Sequence, residues 1–89
     1  GNKGETLGTF NLRTAVANQN KLQANKALYE MYHSRDYDPK ILFEPQIIDF
    51  VKSNPQITAN YLALLSLNYS VDPYLITSFV HSFLVNTHL

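Results

Sequence analysis

The chain has 89 residues, of which 45% are hydrophobic and 16% are charged, and its seven basic side chains balance its seven acidic ones. This length suffices for one domain with one core and excludes a helical domain joined to a separate catalytic one. The absence of cysteine excludes disulfides and thiolate metal sites and is typical of a reducing compartment, so we predict a cytoplasmic or nuclear protein.

Residues 1–10 contain all three glycines and few large apolar side chains, so we expect a flexible leader there. Residues 11–89 are expected to form a single helical domain. Because the chain starts at Gly1 and stops at Leu89 within an apolar stretch, we interpret it as a piece of a longer protein.

Helical periodicity first appears between about Leu12 and Ser34. Apolar side chains recur there at the i, i+3, i+4, i+7 spacing: Ala24, Ala27, Leu28 and Met31. This spacing predicts either one amphipathic helix or two short ones.

Four prolines each follow a residue with a side-chain carbonyl or carboxylate: Asp38-Pro39, Glu44-Pro45, Asn54-Pro55 and Asp72-Pro73. Proline fits the first helical position, and Asp or Asn before it can cap the exposed N–H groups, so each pair predicts a helix start, weakest at Glu44. The predicted segments are a short turn over 39–43 and helices over 45–53, 55–68 and 73 to about 86.

The apolar patterns of the last two helices suggest how they pack. In the helix over 55–68, Ile57, Tyr61, Leu64 and Leu65 share one side. The final helix has one apolar stripe, made of Leu75, Ile76, Phe79, Val80, Phe83 and Leu84. Together the segments predict an all-α fold, a small bundle of four to five short helices or a slice of an α-solenoid.

The second half of the chain has almost no charge. From Ser53 to Leu89 the only Asp, Glu, Lys or Arg is Asp72, although about one residue in four is charged in an ordinary soluble domain. Polar residues interrupt this stretch, so we predict no membrane span. Low charge on helices instead indicates a covered surface.

We therefore predict a protein–protein interaction module, a scaffold or adaptor that docks a partner through apolar helix faces. The candidate partner-binding residues are Tyr69, Tyr74, His81 and Val85, because exposed aromatic and apolar groups on a helix rim are typical of protein contacts. The same side chains could contact the rest of the parent chain, and self-association is a further alternative.

We predict no enzyme activity, metal or cofactor. Histidines 33, 81 and 88 lack a second ligand at metal-binding spacing. No glycine-rich phosphate loop, serine elbow or cysteine nucleophile is present. Convergence of acids such as Asp49 and Asp72 in a pocket would favour an enzyme instead.

A nucleic-acid-binding domain is the main alternative function. Basic side chains alternate with Tyr29 and Tyr32 in the first helical stretch: Arg13, Lys21, Lys26 and Arg35. Aromatic and basic groups together can bind bases and phosphates. The zero net charge argues against this alternative, since phosphate-binding surfaces are strongly positive.

The middle of the chain resembles a known family. A helix is followed by Asp38-Pro39-Lys40, then by an apolar helix that runs into Asn54-Pro55 in the sequence IIDFVKSNPQITANYLALL, then by another helix. Over about residues 28–76 this order is similar to the C-terminal helical region of the Not-eleven subunit family of the Ccr-Not mRNA deadenylase complex. The resemblance implies a scaffold subunit in mRNA decay, without catalytic residues.

Overall fold

The computed structural model describes residues 5–68 together with Tyr74, Thr77, Ser78 and His81. Within residues 5–68 there are four α-helices: α1 (Leu7–Ala17), α2 (Lys21–Ser34), α3 (Pro45–Ser53) and α4 (Thr58–Leu67). Two 3₁₀ helices, Pro39–Phe43 and Pro55–Ile57, precede α3 and α4. These described residues contain no strand, and the predicted small all-α bundle is confirmed.

The first helix begins inside the segment that we expected to be a leader. Helix α1 starts at Leu7, with Thr6 as its N-cap. Thr9 is buried, and its hydroxyl accepts a hydrogen bond of 2.9 Å from the backbone N–H of Asp38. The expectation of a flexible leader is therefore wrong for residues 7–10. They form the capped first turn of α1, and Thr9 is hydrogen-bonded to the segment after α2.

Gly8 also contributes to the contact between α1 and the end of α2. A Cβ atom added at Gly8 would lie 2.5 Å from the backbone oxygen of Asp36 and 2.9 Å from Cγ of Met31. Both distances are shorter than a van der Waals contact, so the missing side chain allows α1 to approach the end of α2 closely. The glycine that we associated with flexibility is a packing residue.

The stretch over 12–34 forms two helices, so the structure selects one of the two alternatives. A short turn separates α1 from α2, and within it Gln19 has a left-handed backbone with φ of 58°. Asn20 then caps α2, its side-chain oxygen accepting a 3.1 Å hydrogen bond from the N–H of Gln23.

The proline starts are only partly as predicted. Asp38 is a helix cap, since its carboxylate accepts a 3.0 Å hydrogen bond from the N–H of Lys40. Helix α3 begins at Pro45, but its N-cap Glu44 makes no capping hydrogen bond. The carboxylate of Glu44 is engaged by Arg13 instead, which agrees with the weak capping signal there.

At Asn54-Pro55 the capping prediction is wrong. The side-chain nitrogen of Asn54 donates a 2.8 Å hydrogen bond to the carbonyl of Phe50 and so closes the end of α3. Pro55 begins a 3₁₀ helix, and α4 starts three residues later, at Thr58. The start predicted at Asp72-Pro73 lies outside the described residues.

The core forms where α2 packs against α1 and α4, while α3 contacts both α1 and α4. The predicted stripe of α2 is buried. The predicted face of Ile57, Tyr61, Leu64 and Leu65 is also buried. The hydroxyl of Tyr61 donates a 2.6 Å hydrogen bond to the carbonyl of Leu42, and burial raises the pKa of this hydroxyl well above its ordinary value. Its buried polar atom is thus satisfied.

Candidate interaction surfaces

The side of α2 opposite the core carries a line of exposed side chains. We define the outer face of α2 as Leu22, Lys26, Tyr29, Tyr32 and His33, all of which are exposed. Leu22 is 80% exposed and Tyr29 is 56% exposed. Leu22, Lys26, Tyr29 and His33 follow the i, i+4, i+7, i+11 spacing, which places them in one row along a helix.

Three rings of the outer face contact one another. The ring centroids of Tyr29 and His33 are 4.4 Å apart, and those of Tyr32 and His33 are 5.5 Å apart. Both distances are typical of paired aromatic groups. The rings therefore form a connected aromatic surface, which is larger than any one exposed side chain would provide.

Arg35 extends this surface at the end of α2. Its guanidinium carbon lies 5.8 Å from the ring centroid of Tyr32, within the range of a cation–π contact. Its Nε also donates a 2.9 Å hydrogen bond to the carbonyl of Tyr32. Arg35 is the C-cap, with a left-handed backbone at φ of 61°, so the turn that ends the helix holds this cation beside the rings.

Arg13, which we grouped with the basic residues of a nucleic-acid surface, has another role. Its guanidinium forms ion pairs with Glu5, at 2.9 Å, and with Glu44. The hydrogen bond to Glu44 is the main cause that raises the pKa of Arg13. Arg13 thereby joins the start of the chain, α1 and the start of α3, and its charge is neutralised within the fold.

A groove of about 480 Å³ lies between the end of α1 and α3. Its lining includes Val16, Gln46, Asp49, Phe50 and Asn54. The guanidinium of Arg13 also lines the groove, but it is already paired with Glu5 and Glu44. One carboxylate, several amides and three apolar side chains make up most of the remaining lining. We find no chemical feature in it that selects a ligand.

Two of the four predicted partner-binding residues can be placed. Tyr74 and His81 have helical backbone and exposed side chains, as do Thr77 and Ser78 between them. Tyr69 and Val85 lie outside the described residues.

Sequence reasoning found the outer face of α2 only in part. It singled out Tyr29 and Tyr32 but assigned them to a nucleic-acid surface, and it considered His33 only as a metal ligand. Leu22 was missed altogether. A helical wheel centred on the buried stripe would have placed Leu22 on the opposite side.

Other kinds of site find little support among the described residues. No three His, Cys, Asp or Glu side chains in this part of the chain could hold a metal ion together. Every buried side-chain nitrogen or oxygen that the structure describes has a hydrogen-bond partner. None of the described helices has the length and apolar content needed to cross a bilayer.

Comparisons with known proteins gave no match to a family model, to a curated protein or to a solved structure.

Proposed function

We propose that this domain is a protein–protein interaction module, a scaffold or adaptor that binds its partner through the outer face of α2. The observation that carries the proposal is the exposure of Leu22 and Tyr29 directly opposite the buried stripe of the same helix. Aromatic side chains bury a large area with few rotatable bonds, which makes them frequent anchors of protein interfaces.

The exposed side chains of Tyr74, Thr77, Ser78 and His81 are a second candidate contact surface in this proposal. Tyr74 is 88% exposed, but Thr77 and Ser78 are polar and offer no further apolar area. Interface centres are depleted of charge and enriched in aromatic groups. The second surface contains no Asp, Glu, Lys or Arg and meets the first condition. The outer face of α2 includes Lys26 and does not, but it has more aromatic side chains and meets the second condition better.

Site-specific photo-crosslinking tests the proposal. A benzoylphenylalanine probe replaces Tyr29 in one variant, Tyr74 in a second and Phe10 in a third, and the proteins are irradiated in cells. Phe10 is the matched control because it is an exposed aromatic residue, but on α1. We expect a discrete protein adduct from position 29 that position 10 does not give. Equal adducts from positions 29 and 10, or none from 29, would contradict the proposal.

The resemblance to the Not-eleven family makes an mRNA-decay complex the assembly to examine first. If this assembly is the right one, the adduct from position 29 contains another subunit of a deadenylase complex. An adduct with an unrelated protein would remove the mRNA-decay assignment and leave the interaction module in place.

The other two functions give different products in the same experiment. Nucleic-acid binding through Lys26, Tyr32 and Arg35 would give an adduct sensitive to nuclease, and it is weakened by the engagement of Arg13 with Glu5 and Glu44. Self-association would give an adduct of twice the chain's mass.

A further inference from the structure

The geometry points to an acidic amphipathic helix as the partner segment that binds the outer face of α2. This inference rests on the proposed function and adds the chemical class of the partner. It depends on the shape of the face, on its charge and on the cost of pairing the face with a second copy of itself.

The shape of the outer face favours a helical partner. Helix α2 has 14 residues and is therefore about 21 Å long. Its row at i, i+4, i+7, i+11 forms a ridge that can pack into the groove of another helix. A strand would need a sheet edge to pair with, and none is present among the residues that the structure describes.

The charge of the outer face favours an acidic partner. Lys26 lies within the row, Lys21 precedes it and Arg35 follows it. Glu30 is the only carboxylate of α2. It follows Lys26 by one helical turn and lines a small polar recess together with Lys26 and Asn11 of α1. The three cations therefore outnumber the one carboxylate of the helix.

These cations are available to a partner. Both ion pairs found among the described residues belong to Arg13, so Lys26 and Arg35 have no carboxylate partner in that part of the chain. Carboxylates that flank an apolar stripe on a partner helix would pair with them, while the stripe covers Leu22 and Tyr29. Such charge complementarity selects the partner and speeds its association.

A second copy of the chain fits this face less well. Two outer faces packed together would bring Lys26 and Arg35 of each copy near the same cations of the other. Like charges at an interface oppose association. The surface is complementary to the opposite charge, and not to itself.

Two synthetic peptides of about 18 residues test the inference, since helices shorter than about 12 to 15 residues are marginal in water. Both carry a leucine stripe; one is flanked by glutamates and the other by lysines. Binding of each fluorescein-labelled peptide to the whole chain is measured by anisotropy. We expect the glutamate peptide to bind about tenfold more tightly, as a few exposed ion pairs allow. The preference should shrink in about 0.5 M salt because of screening.

Charge reversal provides the matched control. Lys26→Glu should reduce the preference for the glutamate peptide to about threefold or less. Lys40→Glu makes the same change in net charge at an exposed site outside α2 and should leave the preference unchanged. Circular dichroism verifies that both variants are folded.

Equal binding of the two peptides, a preference for the lysine peptide, or no binding of the glutamate peptide overturns the inference. An equal loss of preference in Lys26→Glu and Lys40→Glu also overturns it, because the effect would then come from net charge alone. The proposed function fails separately, when the crosslinking probe at position 29 captures no protein.

Discussion

Replacing Gly8 by alanine should destabilise the fold, although the same change in an ordinary helix is stabilising. Alanine in place of glycine inside a helix contributes about 0.5 to 1 kcal/mol. At Gly8 the new Cβ would lie 2.5 Å from the backbone oxygen of Asp36. Because the obstacle is a main-chain atom, relief requires the backbone of α1 or of the segment after α2 to shift.

The size of the effect follows from these opposing terms. Overpacking of a tight contact costs about 1 to 3 kcal/mol, and the second obstacle, Met31, is fully buried and has little room to move. After subtraction of the helix gain, these ranges leave a net loss of up to about 2.5 kcal/mol in the free energy of unfolding, and about 1 kcal/mol at their midpoints. In a domain of this size the melting temperature should fall by about 4 to 8 °C per kcal/mol.

Urea denaturation followed by circular dichroism measures this loss. The control is the pair Thr14→Ala and Thr14→Gly, at an exposed position of the same helix, which gives the intrinsic difference between alanine and glycine in α1. We expect opposite signs: alanine is favoured over glycine at position 14 and disfavoured at position 8. Stabilisation by Gly8→Ala similar to that at position 14 would refute the close approach and restore the flexible leader.

Three further substitutions test the core and the outer face. Leu65→Ala should cost about 2 to 5 kcal/mol, because it removes a fully buried side chain from α4; a loss below about 0.5 kcal/mol in urea titration would show that this core assignment is wrong. Tyr61→Phe should cost about 1 to 3 kcal/mol, since it leaves the buried carbonyl of Leu42 without its donor. Because the pKa of Tyr61 is raised in the folded state, its protonated form adds stability that is complete below pH 10 and decreases at higher pH. The free energy of unfolding should therefore decrease less steeply above pH 10 in Tyr61→Phe than in the wild type. Equal pH dependence in the two proteins would argue against a raised pKa of Tyr61. Tyr29→Ala should change the free energy of unfolding by less than about 0.5 kcal/mol while weakening binding of the glutamate peptide in the anisotropy assay, and a large loss of stability would mean that Tyr29 serves the fold.

The helical fold could be predicted because its main signals are local. Apolar spacing alone identified the buried stripe of α2, and it succeeded because the period of a helix is fixed by its hydrogen bonds. The prolines located α3 and the turn before it for a similar reason, since proline restricts its own backbone wherever it stands.

The errors arose where a residue's role depends on a distant neighbour. Gly8 appears flexible in the sequence because nothing nearby reveals that Asp36 approaches it, 28 positions later. The side chain of Asn54 can cap the next helix through its oxygen or hydrogen-bond the last turn of α3 through its nitrogen. The sequence around it does not distinguish the two. The candidate surface was recognised in part for the same reason: which sides of α2 are covered depends on where α1 and α4 pack.

The two faces of α2 have separable physical roles, and this separation is the strongest reason to look for function on the outer one. The inner stripe, from Ala24 to Met31, supplies the burial that holds α2 against its neighbours. A helix of this kind needs only polar residues on its other side. Single exposed apolar residues are common and need no explanation, but Leu22 and Tyr29 lie in one row with His33, and the rings of Tyr29 and His33 are in contact. Such a row exposes apolar surface to water, which is why we propose binding as its role.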